Sequence, residues 1–315
     1  MSASELPLVS IKCTAYNHEP YIAHTLEGFV RQKTNFRFEA IVHDDASTDK
    51  TADIIRAYAA KYPDIIKPIF ETENQYSKHD GSLRRIMDAH TRGKYVAMCE
   101  GDDYWTDPLK LQRQVGFMEK HPDYTMCCTD AIVKIEGQDF EWSRFSCDAD
   151  MPTHAVIEEG GIYIYTCSIL YRQALLANYP KFCAECAIGD YPLQIWAAIN
   201  GKIRYLAKKT CVYTYMHAGS WSARQCEMDL EKRIPRLQSE FDMLLGINDY
   251  TAKRYNTAVM NAVTKQIFLQ CARDPRNAEI LYRHFGGIID SFAIKEKVKF
   301  FMIMNDVNCL RADVL

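Results

Sequence analysis

Tyr95-Val-Ala-Met-Cys99-Glu100-Gly-Asp102-Asp103-Tyr-Trp105 is the stretch whose reading decides the fold: an apolar run of strand length ends abruptly in three carboxylates. A short apolar run closed by an acidic turn is the end of a buried strand, and a parallel sheet collects its ligands at such ends. The segments before it alternate in the same way. Leu8-Val-Ser-Ile-Lys-Cys-Thr14 reads as a first strand, and a helical period follows over 21–31 behind Pro20. Phe38-Glu-Ala-Ile-Val-His43 is a second strand, running into Asp44-Asp45-Ala-Ser-Thr-Asp49 and a helix over about 50–62 whose apolar stripe is Ile54, Ile55, Tyr58 and Ala59. Ile65–Phe70 is a third strand, followed by a polar loop over 73–81 and a helix ending near Gly93. Strands alternating with helices at these spacings predict an α/β fold, a Rossmann-like and mostly parallel sheet flanked by helices.

Beyond about residue 124 the pattern loosens. Strands are expected over 125–133, 162–165, 203–206 and 211–215, and helices over 168–178 and 191–200. From Met228 onward the periodicity is helical throughout. The reading is a catalytic domain over 1–224, with a nucleotide-binding half over 1–120 and an acceptor-side half over 121–224, and a helical extension over 225–315.

A net charge of −3 leaves no electrostatic footprint for a nucleic acid. Most of the twelve cysteines are scattered singly, and no basic segment followed by an apolar run opens the chain, so free thiols in a reducing cytoplasm are expected rather than a disulfide framework. Cys183-Ala-Glu-Cys186 lacks the second pair that a zinc site of this spacing requires. No run of about 18 apolar residues predicts a membrane span.

Asp102 and Asp103 are hard oxygen donors suited to Mg²⁺ or Mn²⁺; the alternative is a solvated turn capping the helix near Pro108. Asp45 stands on the same edge, where a carboxylate can accept from a base or a ribose; the alternative is helix capping. Thr14, Tyr16 and Asn17 close the first strand beside it.

Three blocks together, Thr14-Ala-Tyr-Asn-His-Glu-Pro-Tyr-Ile22, Asp44-Asp-Ala-Ser-Thr-Asp-Lys-Thr51 and Glu100-Gly-Asp-Asp-Tyr-Trp-Thr-Asp-Pro-Leu-Lys-Leu111, resemble the family 2 glycosyltransferases with the GT-A fold. The resemblance is strong over 8–120, weaker to about 221, and absent from the C-terminal helices. It implies Asp45 as reader of the donor base, usually uracil, with Thr14, Tyr16 and Asn17 beside the donor nucleotide. It implies Asp102 at the ribose and Asp103 as direct ligand of Mn²⁺ or Mg²⁺. Glu100 departs from the aspartate that many relatives carry at that place.

Ile188-Gly-Asp190-Tyr-Pro-Leu193 resembles the family block whose carboxylate deprotonates the acceptor, which makes Asp190 the expected general base. Thr166-Cys-Ser168 resembles an acceptor-side segment. Tyr213-Thr-Tyr-Met-His217-Ala-Gly-Ser-Trp221 resembles a block whose histidine approaches the diphosphate or the metal, so His217 joins the metal residues, with Arg224 as a weaker phosphate contact.

The implied activity is inverting transfer from a nucleotide-sugar donor, expected to be a UDP-sugar, to a hydroxyl of a saccharide or lipid-linked acceptor. The loop after the first strand has no glycine, against both a nucleotidyltransferase and a dinucleotide-dependent dehydrogenase, and no D-x-D-x-T supports a haloacid-type phosphatase. The non-enzymatic rival is a nucleotide-sugar-binding scaffold. Lys295–Met304, basic and then apolar, reads either as a packing helix or as a peripheral membrane contact.

Overall fold

A computed structural model describes residues 6–135, 138–141 and 143–312. Its strands are β1 (Val9–Ala15), β2 (Phe38–Asp44), β3 (Ile66–Phe70), β4 (Tyr95–Met98), β5 (Tyr104–Trp105), β6 (Tyr124–Ile135), β7 (Gln138–Phe140), β8 (Ala149–Asp150), β9 (Leu170–Arg172) and β10 (Lys202–Tyr215). They form one sheet in the order β3-β2-β1-β4-β9-β6-β10-β5, with β7 on β6 and β8 on β10. The run β3-β2-β1-β4 is parallel, as the alternation predicts, because each crossover carries a helix: α1 (Ile22–Val30), α2 (Thr51–Lys61) and α3 (Ser82–His90). The fold class is therefore the one expected, a mixed α/β sheet flanked by helices.

The second half differs in detail. Residues 168–178, expected as a helix, instead supply β9, antiparallel to both β4 and β6, followed by a short 3-10 turn. Leu170 and Tyr171 are buried in the middle of the sheet, and a short apolar run of this kind carries no periodicity to separate strand from helix. Residues 203–206 and 211–215 join into the single strand β10, irregular in its register near Lys209. Of the strand expected over 162–165, residues 161–163 form a 3-10 turn and the rest an extended link.

The remaining helices are α4 (Lys110–Lys120), α5 (Thr153–Glu159), α6 (Lys181–Ala184), α7 (Asp190–Asn200), α8 (Trp221–Glu227), α9 (Leu230–Tyr250), α10 (Asn256–Arg273), α11 (Asn277–Ile289) and α12 (Ile294–Ala312). Leu237, Phe241 and Leu244 of α9, Val263 and Ile267 of α10 and Phe300 of α12 belong to the same apolar cluster as Trp196 of α7 and Met126 of β6. The C-terminal helices thus bury their apolar faces against the acceptor-side half rather than in a core of their own. The described cysteines are free and mostly buried, including Cys183 of the C-x-x-C pair. Among the described residues no helix is long and apolar enough to cross a membrane.

Candidate active site

The parallel strands deliver the acidic turns to one edge. Ala15 and Asp44 are in register at the ends of β1 and β2, and the turn after β4 is tied in by the Gly101 N–H donating to the Thr14 carbonyl at 2.9 Å. Thr25 of α1 donates to the carbonyls of Gly101 (3.0 Å) and Asp103 (2.6 Å), so the first helix pins the Glu100–Asp103 turn from behind. Only glycine fits at 101: a Cβ there would lie 2.8 Å from His18 Nδ1 and 2.9 Å from the Ala15 Cβ.

The turns after β1 and β2 clasp each other. The Asn17 N–H donates to Ser47 Oγ at 2.9 Å, and its side-chain oxygen accepts from the Thr48 N–H at 2.8 Å. Asn17 and Ala46 both adopt left-handed backbone, at φ 56° and 62°. Such strain persists only where surrounding bonds over-determine it, as this clasp does. Asn17 therefore shapes the rim, while Tyr16 stands exposed on it and Thr14 lies half-buried at the strand end.

Asp45 is buried. Its Oδ1 accepts from the Gln75 N–H at 2.6 Å and its Oδ2 from the Tyr76 N–H at 3.0 Å. Each carboxylate oxygen has two acceptor sites, so these bonds orient Asp45 without exhausting it. The Tyr76 hydroxyl in turn accepts from Trp221 Nε1 at 2.8 Å, which joins the loop after β3 to the start of α8. Tyr76 carries no signal in the sequence, because the partner that defines it lies 145 residues away.

The two central aspartates part company. Asp103 is buried, its Oδ1 accepting from the Thr214 N–H of β10 at 2.7 Å, and burial together with the charge of Asp102 pushes its pKa well above the usual carboxylate range. Asp102 is the one that meets His217, Oδ2 to Nε2 at 2.9 Å, with His18 Nε2 at 3.9 Å from the same oxygen. Burial opposes the Asp102 charge, but the His217 hydrogen bond and the charges of both histidines outweigh it and hold the pKa down. The bond to Asp102 raises the His217 pKa against burial, whereas burial lowers that of His18.

His217 follows β10 directly, its ring 4.6 Å from that of Tyr21, and its Nδ1 lies 3.1 Å from the Ala218 carbonyl. A carbonyl only accepts, so Nδ1 carries the proton. Without a cation, Nε2 needs a second proton to reach Asp102; when neutral it presents a lone pair there. The Arg224 charge is felt by both His18 and His217. His18 lies inside the first block, but nothing in the sequence separated it from its neighbours.

Asp190 opens α7, and its Oδ2 accepts from Thr166 Oγ at 2.6 Å. Burial raises its pKa, and the Thr166 bond partly offsets that. Behind it, Gln194 donates to the carbonyls of Gly161 (3.2 Å) and Ile164 (3.0 Å), fixing the link before Thr166. Trp105 Nε1 donates to the Cys167 carbonyl at 2.9 Å and Gln114 Nε2 to that of Ser168 at 2.8 Å, so the donor-side turn and α4 hold the acceptor-side turn.

Glu100 connects the two sides. Its side chain is open to water yet walled in by protein. Desolvation by those walls, then the charges of Asp102 and Asp190, push its carboxyl up to about 8. Water reaching the exposed side chain screens part of that shift. The Tyr213 hydroxyl, raised by burial, also feels Asp103, Asp190 and Glu100.

One sheet edge thus gathers carboxylates from two strand ends, Asp45 after β2 and Glu100, Asp102 and Asp103 after β4, with Asp190 contributed by the start of α7. Residues 10–177 match the model of Glycosyl transferase family 2, and the chain belongs to that family. It is 38% identical over 215 residues to an uncharacterized protein of Mycobacterium tuberculosis, covering 68% of this chain and 60% of that protein's length. It is 37% identical over 234 residues to the Escherichia coli UDP-Glc:alpha-D-GlcNAc-diphosphoundecaprenol beta-1,3-glucosyltransferase WfaP, covering 70% of this chain and 82% of the relative. The mannosyltransferase PcManGT of Pyrobaculum calidifontis, solved with GDP-Man and Mn²⁺, shares the fold with a TM-score of 0.54 at 16% identity, over 97% of this chain and 81% of that one.

Proposed function

We propose that this chain transfers a sugar, with inversion, from a UDP-sugar to a hydroxyl of a saccharide or lipid-linked acceptor. The observation that carries the reading is the gathering of carboxylates around Glu100: Asp102, paired with His217, and Asp190, held by Thr166, both act on it. UDP is preferred to GDP because the Escherichia coli relative, which uses UDP-Glc by its name, is far closer in sequence than the archaeal GDP-Man enzyme. That relative also takes a diphosphoundecaprenol acceptor by name, which supports a lipid-linked acceptor here.

Asp102 and His217 fit a divalent cation. They offer one oxygen and one imidazole nitrogen, and His217 Nδ1 is already committed to a carbonyl. No group of three or more ligand residues occurs among the described residues, so a bound cation would draw its remaining ligands from outside the protein, and a mixed nitrogen and oxygen set would suit Mn²⁺ better than Mg²⁺. When bound, the cation offsets the charge that grows on the departing diphosphate. Asp103 stands behind it as a positioning group through Thr214.

On the protein side, Asp45 accepts from the base, with Thr14, Tyr16 and Asn17 forming the rim around the nucleotide. Asp190 takes the proton of the acceptor hydroxyl as that oxygen bonds to the anomeric carbon, and the bond from that carbon to the diphosphate oxygen breaks, its electron pair leaving with the nucleotide. Arg224 stands where it can meet a phosphate. The raised pKa of Asp190 makes it a stronger base than an exposed aspartate.

A base acts when deprotonated, so turnover rises with pH through the Asp190 pKa. Thr166→Val removes the bond that lowers that pKa. The acid limb of the kcat profile then moves to higher pH, and kcat near neutrality falls by about tenfold. Thr166→Ser, which keeps the hydroxyl, retains the wild-type profile. Release of UDP from UDP-glucose, followed with and without Mn²⁺ in the presence of a lipid-diphosphate GlcNAc acceptor, tests the activity itself. Mn²⁺-dependent release supports it; UDP-glucose binding with no turnover on any acceptor restores the scaffold reading.

A further inference from the structure

The last helix has two apolar faces, and only one is used. At about 100° per residue, Phe300, Ile303 and Met304 of α12 fall on one side. Phe300 is fully buried there, and the other two pack against the cluster shared with α9–α11. Ile294, Val298 and Met302, spaced four apart, form a stripe on the opposite side and are 83%, 54% and 61% exposed. Together they are the longest regular run among the exposed large hydrophobic residues of the described chain.

The charges are arranged around this stripe. Lys295 and Lys299 flank it on one side and Lys297 on the other, while Glu296 turns toward the body with Oε2 buried. Lys299 Nζ also lies 4.7 Å from the Phe268 ring centroid of α10, which holds it beside the body of the protein. The chain as a whole is acidic, at −3, so this basic rim is a local feature. An apolar stripe with lysines on both flanks is complementary to an anionic bilayer surface: the stripe enters the acyl boundary while the lysines reach headgroup phosphates.

We propose that α12 docks the protein on an anionic lipid surface through Ile294, Val298 and Met302, with Lys295, Lys297 and Lys299 at the headgroups. This deepens the reading of a lipid-linked acceptor, but its geometry does not depend on that reading. The test is co-sedimentation with vesicles of phosphatidylcholine, pure or with about 30% phosphatidylglycerol. It compares wild type with Val298→Glu/Met302→Glu and with Lys295→Gln/Lys297→Gln. Both variants change partly or fully exposed side chains, and thermal melting with UDP titration checks that each retains fold and donor site. The proposal expects sedimentation only with the anionic vesicles, weakened about tenfold or more by either double substitution. Equal sedimentation of all three proteins, or none with wild type, overturns it. Wild type that self-associates while Val298→Glu/Met302→Glu is monomeric assigns the stripe to a second copy of the chain and also overturns it. Unchanged UDP binding alongside any of these results places the failure in the surface; lost UDP binding in wild type places it in the donor-site reading.

Discussion

Asp190→Asn lowers turnover by about a thousandfold and leaves the UDP affinity within about threefold of wild type. The amide keeps the size of the carboxyl, and its oxygen still accepts from Thr166, so the entrance to α7 retains its bond. What disappears is the capacity to take a proton. Asp190 is bonded to Thr166 and Asp102 to His217, so the Asp102–His217 pair does not depend on the Asp190 contact. Initial rates set against calorimetric UDP affinities separate the two effects. Loss of both together, with a lowered melting temperature, assigns Asp190 to capping α7 and not to chemistry.

The second large effect separates two adjacent carboxylates. Asp102→Ala leaves His217 without its partner and weakens Mn²⁺-dependent UDP binding by about a hundredfold or more, while it strips no buried backbone N–H of its acceptor and so lowers thermal stability less than the loss of Asp103 does. Asp103→Ala acts differently. It strips the Thr214 N–H of its acceptor inside a buried strand, at a cost of about 1–3 kcal/mol in stability. Donor binding then falls only as far as β10 shifts beneath His217. The reverse pattern, with Asp103 controlling Mn²⁺ dependence and Asp102 controlling melting, restores the assignment that the family resemblance implied.

The nucleotide-binding half was legible because its chemistry is local. Each acidic turn follows an apolar strand within a few residues, and parallel crossovers put every such turn on one edge. The acceptor-side half was harder for a physical reason. Residues 169–171 form an apolar run too short to show a period, so the helix expected over 168–178 and the strand β9 leave the same trace in sequence. The blocks singled out Asp190 and Thr166 separately, but not the bond between them, which spans 24 residues. The difference in surroundings between Asp102 and Asp103 was likewise hidden. It is decided by which carboxylate faces His217 and which faces the Thr214 N–H, and both partners sit on β10 or just after it, more than a hundred residues away. In α12 the composition left packing and membrane contact as alternatives; the helix buries one apolar face in the shared cluster and leaves Ile294, Val298 and Met302 exposed.

Calorimetric titration of UDP, with GDP as the comparison, into wild type with and without Mn²⁺ and into Asp102→Ala tests the central claim most directly. The account predicts UDP binding that needs Mn²⁺, exceeds that of GDP and is lost in Asp102→Ala. UDP binding indifferent to Mn²⁺ and to Asp102, or no nucleotide binding at all, would contradict it.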